Sequence, residues 1–164
     1  MKPRCLLFFI VLCLWGCNQQ QDGSQKLLQT KIDSLQKTID NAYKPGLGEF
    51  MSSIQVHHEK LWFAGKNENW KLADFEIKEI QEDLTDITTY CKDRPETHFL
   101  PMIDPALDSL NKAIQQKSSA SFKNKFILLT NTCNSCHQAT KLEFNVIKVP
   151  DVPAFSDQVF KPRI

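Results

Sequence analysis

Apolar residues recur at steps of three and four in four successive segments between positions 48 and 140, and short polar or proline-containing connections separate the segments. This spacing is typical of amphipathic helices that bury one face. No alternation of apolar and polar residues suggests a strand within these segments. Because short loops make consecutive helices antiparallel, the pattern predicts an all-α fold with an up-down-up-down four-helix bundle over residues 46–140.

Capping and helix-breaking residues predict the ends of these helices. The first helix begins near Gly48 and ends at Gly65, a left-handed C-cap, and Asn67 is the N-cap of the second helix. A loop from Cys91 to Pro101 follows the second helix. Asp104-Pro105 starts the third helix, and Ser118 to Ser121 start the fourth.

The N-terminal sequence indicates export. Basic Lys2 and Arg4 precede an apolar run from Leu6 to Trp15, which is far shorter than the ~20 residues that span a bilayer as a helix. Leu14-Trp15-Gly16-Cys17 resembles a bacterial lipobox. We therefore expect a signal peptide over residues 1–16, lipidation of Cys17, and a lipoprotein that faces the periplasm or the cell surface. An ordinary signal peptide and an uncleaved anchor are the alternatives.

A polar, Gln-rich segment over residues 17–25 suits a flexible tether between the lipid and the folded domain. Residues 26–44 then predict an additional N-terminal helix with a heptad stripe formed by Leu28, Ile32, Leu35, Ile39 and Ala42. The stripe fits a helix that packs on its own domain, and it also fits a coiled coil that would make a homodimer.

The segment over residues 141–164 differs in character from the helices. Three prolines prevent a long helix, so we expect an extended tail. We expect it to pack four apolar side chains on the bundle: Phe144, Val146, Phe155 and Phe160.

Charge and cysteine content limit the classes of function. With 20 Lys+Arg and 19 Asp+Glu, the chain has no strong field that would attract nucleic acid. A 164-residue chain does not need disulfides to fold, so its six cysteines require another explanation. Removal of the signal peptide and lipidation of Cys17 leave Cys91, Cys133 and Cys136.

Cys133-Asn134-Ser135-Cys136-His137 has the Cys-X-X-Cys-His spacing of covalent haem attachment. On a helix, thiols three residues apart can reach the two vinyl groups of one porphyrin, and the adjacent imidazole can bind the iron. The motif predicts one haem c, with His137 as the proximal ligand. A redox disulfide and a zinc site that adds Cys91 or His98 are the alternatives.

A sixth iron ligand is expected on the first bundle helix, where Met51 and His58 both point inward. They lie about 10 Å apart along the helix axis and cannot share one iron. Met51 is nearer the end where His137 is expected, so we favour Met51, with His58 or an open site as alternatives. His57 falls at the margin of the stripe.

The connection between the second and third helices contains weaker candidates. His98 and Met102 are candidate iron ligands there, although an ordinary packed or solvated role is more common for such residues. Cys91 is interpreted as a free or partly buried thiol.

These features resemble the cytochrome c′ class and its low-spin relatives over residues 46–140, and more specifically a group of small exported bacterial monohaem c-type cytochromes. The resemblance depends on Met51, the segment His58 to Gly65, Asn69-Trp70, Leu129-Thr130, the haem motif and Val149-Pro150. It implies thioether bonds at Cys133 and Cys136, proximal ligation by His137 and low-spin ligation by Met51.

The function expected from the sequence is electron transfer to or from an unknown redox partner protein. No carboxylate pair, activated nucleophile or phosphate-binding loop indicates an enzyme. A gas-binding or haem-sensing protein with an open distal site is one alternative, and an accessory haem subunit of a larger membrane complex is another.

Overall fold

The computed structural model describes residues 23–155 and 157–163. The expected signal peptide, the lipidation site Cys17 and the first part of the tether lie outside these residues. The described part contains six helices and no strand, which confirms the all-α prediction. The chain divides into two units, one up to Lys44 and one from Pro45 onward. No helix in the described part is long and apolar enough to cross a membrane.

The first unit contains helix α1, which covers residues 23–40. The sequence predicts a helix here up to residue 44, and the observed helix ends four residues earlier. The apolar residues of its heptad stripe are each more than half exposed; they are Leu28, Ile32, Leu35 and Ile39.

The second unit contains α2 (Leu47–Lys66), α3 (Trp70–Tyr90), a 3₁₀ helix (Pro95–Met102), α4 (Asp104–Gln115) and α5 (Ser119–Ala139). Helix α2 contacts α3 and α5, and α4 contacts the same two helices. The core lies between the four α-helices. Its largest fully buried apolar side chains are Phe122, Phe126, Leu61, Ile77, Ile87, Leu110, Ile114 and Leu129.

Two predicted helix boundaries are wrong at the turn between α2 and α3. Gly65 lies inside α2 and does not adopt a left-handed conformation, whereas Glu68 does, with φ of 59°. The N-cap of α3 is Asn69 rather than Asn67, and its side chain accepts a hydrogen bond from the Leu72 amide at 3.3 Å. Asn67 instead donates to the Phe63 carbonyl and ends α2.

Two further predicted boundaries, next to the 3₁₀ helix, are wrong. The predicted loop over 91–101 contains most of that helix, and Asp104 is the first residue of α4 rather than its N-cap. The prediction for α5 is confirmed, because the Ser118 hydroxyl accepts from the Ser121 amide and the helix continues through His137.

Helices α2 and α5 run antiparallel and approach closely. Gly65, near the end of α2, faces the Phe122 ring near the start of α5. Further back on α2, His58 contacts Thr130 through a hydrogen bond of 2.9 Å. This arrangement brings the beginning of α2 toward the end of α5, where the haem motif lies.

The tail follows α5 without regular secondary structure. Phe160 is buried and its ring lies 5.5 Å from that of Phe63, as the sequence predicts. Phe155 is half-buried beneath the Lys60 ammonium. The expectation that Phe144 and Val146 also pack on the helices is wrong, since they are 80% and 71% exposed.

Candidate haem site

A cavity of about 510 Å³ opens between the start of α2, the 3₁₀ helix, the end of α5 and the first part of the tail. Its volume lies within the usual range of small-molecule and cofactor pockets. Five residues that the sequence predicts as haem contacts line it: Met51, His58, Cys133, Cys136 and His137. Much of the remaining wall is apolar, with side chains such as Leu47, Ile54, Ile80, Leu84, Leu100, Ile103 and Leu129.

Cys133 and Cys136 reach the cavity as free thiols. Burial and the nearby Cys136 raise the pKa of Cys133 to about 11, and burial raises the pKa of Cys136. Both groups are therefore protonated at neutral pH. A thioether forms when an S–H bond adds across a vinyl group, with sulfur on one carbon and hydrogen on the other, so two thiols suit this attachment without an oxidant.

The same thiols do not suit a thioredoxin-like disulfide exchange site. Reactive cysteines have a lowered pKa, often because they lie at a helix N-terminus. Here the two cysteines lie in the last two turns of α5, and burial shifts their pKa values upward.

The imidazole of His137 is oriented by the tail. Its Nδ1 lies 2.6 Å from the backbone carbonyl oxygen of Asn145. Because a carbonyl can only accept, Nδ1 must carry the hydrogen, and the lone pair of a neutral ring is then on Nε2. A hydrogen bond at one ring nitrogen is the usual way in which proteins prepare the other nitrogen for a metal.

His58 is buried, and its Nε2 atom, which would have to bind the iron, is already hydrogen-bonded. The Thr130 hydroxyl donates to the Phe126 carbonyl at 3.0 Å, so it accepts from Nε2–H of His58 at 2.9 Å. The His58 ring also packs on the Phe126 ring, with centroids 4.5 Å apart. Burial lowers the pKa of His58 to about 4, so the ring is neutral.

Met51 has a half-buried thioether side chain at the cavity wall. On α2 it precedes His58 by seven residues, and on α5 His137 follows Thr130 by the same number. Since His58 and Thr130 are paired and the helices are antiparallel, Met51 lies level with His137 along the two helix axes.

The structure adds contacts that the sequence did not reveal. The Asn134 side chain donates to the Ile147 carbonyl and accepts from the Ile147 amide, both at 2.8 Å. At the cavity wall, Arg94 donates to the Glu96 carboxylate at 2.7 and 3.2 Å, and this interaction lowers the pKa of Glu96.

The weaker candidates lie elsewhere. His98 is exposed and Met102 is 39% exposed, and neither lines the cavity. His57 bonds Glu76 at 2.7 Å, and burial raises the pKa of that carboxyl although His57 opposes the shift. Cys91 is a buried free thiol that lies 3.8 Å from the Pro45 carbonyl oxygen, which confirms its interpretation.

Among the described residues, no cluster of three or more His, Cys, Asp or Glu side chains could hold a metal ion directly. A haem site does not require such a cluster, because the porphyrin provides four nitrogen ligands and the protein provides only the axial ones. The donor set at the cavity, two thiols, one imidazole and one thioether, fits haem c.

Comparison with known proteins gives no relative. No family model matches the chain, and no curated protein or solved structure matches it significantly. A function must therefore be inferred from the residues around the cavity.

Proposed function

We propose that the protein is an extracytoplasmic monohaem c-type cytochrome that carries electrons through one covalently attached haem. The observation that supports this most directly is that one cavity is lined by both cysteines of the motif, by His137 and by Met51. The haem, when bound, supplies a one-electron Fe(III)/Fe(II) couple.

The protein residues would attach, orient and shield that group. Cys133 and Cys136 would form the thioethers, and His137 would bind the iron through Nε2 while Asn145 holds Nδ1–H. We favour Met51 as the sixth ligand because Nε2 of His58 is already bonded to Thr130. An axial thioether raises the reduction potential relative to two imidazoles.

We infer that α2, α3, α4 and α5 form an up-down-up-down four-helix bundle like that of the cytochrome c′ class. The antiparallel pairing of α2 with α5 and the contacts between neighbouring helices support this arrangement. Such a bundle exposes only the edge of a buried cofactor, which suits exchange of electrons with a partner protein.

We further propose that export and lipidation of Cys17 tether the domain to a membrane, and that the partner is a redox protein rather than nucleic acid. Helix α1 would pair with a second copy through its exposed heptad stripe and make a homodimer. The accessory-subunit alternative would use the same stripe to dock on a larger complex.

Covalent attachment is the first test. The full chain should be produced in a host that matures c-type cytochromes, and its haem should resist acid-acetone extraction and add the mass of one haem to the polypeptide. Replacing both Cys133 and Cys136 by Ala should make the haem extractable, whereas Cys91→Ala should leave it bound. A chain that leaves the maturation host without covalent haem would disprove the proposal.

The absorption spectrum then separates electron transfer from gas binding. A six-coordinate low-spin ferrous spectrum is expected for Met51 ligation. A five-coordinate high-spin ferrous form that binds nitric oxide would favour the haem-sensing alternative.

A further inference from the structure

We infer that the tail acts as a latch on the proximal side of the haem, and that Asn134 is the positioning residue that holds it. The tail latch consists of Asn134 and His137 on α5 and of the tail residues Leu142, Asn145 and Ile147. This inference depends on the proposed function. It assigns a role to Asn134, one of the two residues between the cysteines of the haem motif, whereas the motif itself specifies only the cysteines and the histidine.

The latch controls a hydrogen bond to the expected iron ligand. His137 donates from Nδ1 to the Asn145 carbonyl at 2.6 Å. A hydrogen bond at this nitrogen makes an imidazole a stronger electron donor to the metal and fixes the orientation of its ring. The position of one backbone carbonyl therefore affects the properties of the iron.

Hydrogen bonds to α5 hold the tail on both sides of that carbonyl. Before it, the Leu142 amide donates to the His137 carbonyl at 2.7 Å, and the Asn145 amide donates to the Leu142 carbonyl at 2.9 Å. After it, both backbone groups of Ile147 pair with the Asn134 side chain at 2.8 Å. Asn134 and His137 are neighbours on one turn of α5, so a single helical turn carries both the ligand and the anchor of its partner.

Apolar burial contributes little to the middle of this segment. The side chains on either side of Asn145, Phe144 and Val146, are largely exposed. Only Leu142 and Ile147, at the ends, are half-buried at the cavity wall. Segments with few buried contacts need little free energy to open locally. The hydrogen bonds of Asn134 should therefore contribute most of the free energy that keeps this part of the tail in place.

Asn134→Ala removes both bonds to Ile147 without touching the thiols or the imidazole. In the holoprotein we expect the haem to stay covalently bound and the reduction potential to rise, because a looser Asn145 carbonyl makes His137 a weaker donor to Fe(III). Ser135→Ala is the matched control. Ser135 is the other variable residue of the motif, it is exposed, and its hydroxyl bonds only the Asn131 carbonyl within α5.

A second measurement does not require haem. In the full chain produced without haem attachment, the Ile147 amide should be protected from hydrogen exchange through its bond to Asn134. Asn134→Ala should speed this exchange about tenfold, because the Ile147 amide loses the hydrogen bond that protects it directly. Asn134→Asp keeps an acceptor for the amide and should retain part of the protection, while Ser135→Ala should retain all of it.

The outcomes separate the latch from the proposed function. If the wild-type chain never carries covalent haem, the proposed function fails, while the exchange of Ile147 still tests the latch. A different result is that haem is attached while Asn134→Ala, like the control Ser135→Ala, keeps the reduction potential and the Ile147 exchange rate of the wild type. That result would disprove the role of Asn134 in the latch.

Discussion

Substitution of Gly65 by Ala tests how closely α2 and α5 approach. A Cβ atom built at Gly65 would lie 2.5 Å from Cε2 of Phe122 and closer still to its Cε1 and Cζ. Real Cβ contacts of this kind are at least 3 Å, so either the ring or the helix must move. The ring has little freedom, because Phe122 is fully buried among Trp62, Trp70 and Phe126.

Two opposing contributions determine the size of the effect. Replacing a helix-interior Gly by Ala ordinarily stabilises a helix by about 1 kcal/mol. Overpacking a core costs about 1–3 kcal/mol, and an overlap with an immobile ring belongs at the upper end. We therefore expect Gly65→Ala to lower the free energy of unfolding by about 2 kcal/mol.

Urea unfolding followed by circular dichroism measures this change. Gly48 provides the matched control, because it lies in the same helix and a Cβ there would have no neighbour within 4 Å. Gly48→Ala should be neutral or slightly stabilising. Combining Gly65→Ala with Phe122→Leu should recover part of the loss relative to the sum of the single changes. If Gly65→Ala proves as stable as the wild type, the close approach of α2 and α5 is wrong.

Three further predictions concern the candidate ligands and α1. Met51→Ala should convert the holoprotein to a high-spin form and lower its reduction potential, whereas His58→Ala should leave the axial ligation unchanged; the reverse result in absorption spectra would make His58 the ligand. Between the ordinary His pKa of about 6.5 and the native value of about 4, the unfolded state binds a proton that buried His58 does not. Stability should therefore fall by about 3 kcal/mol as the pH falls through this window. His58→Leu should remove that share of the pH dependence in urea titrations, and equal pH dependence in both proteins would contradict it. Leu28→Lys with Leu35→Lys should convert a dimer to a monomer in sedimentation equilibrium, and a wild-type monomer would rule out the homodimer.

The sequence predicts the helices well because their periodicity is long and regular. It fails where the choice depends on tertiary contacts. Gly65 has the right chemistry for a C-cap, yet α2 continues through it. The glycine is needed there for another reason, because only a residue without a side chain fits against Phe122. The left-handed position then falls to Glu68, which no propensity favours.

The candidate site shows the same division. The motif and the inward helix faces predict Cys133, Cys136, His137 and Met51 at one cavity, since these residues depend on helical spacing alone. The roles of Asn134 and Asn145 depend on the path of an irregular tail, which has no periodic signal. The prediction that Phe144 packs on the bundle is wrong for the same reason, because hydrogen bonds hold this part of the tail and an apolar side chain beside them need not be buried.

The expected haem contacts lie on two helices, and those on α5 should detach from a haem less easily than the one on α2. Cys133 and Cys136 would hold a haem through covalent bonds that helix motion does not break, and His137 lies beside them in the last turns of α5. Met51 belongs to α2, and a small separation of α2 from α5 would detach it alone. Changes that separate the start of α2 from the end of α5 should therefore first release the sixth ligand, leaving a five-coordinate iron while the cofactor remains attached.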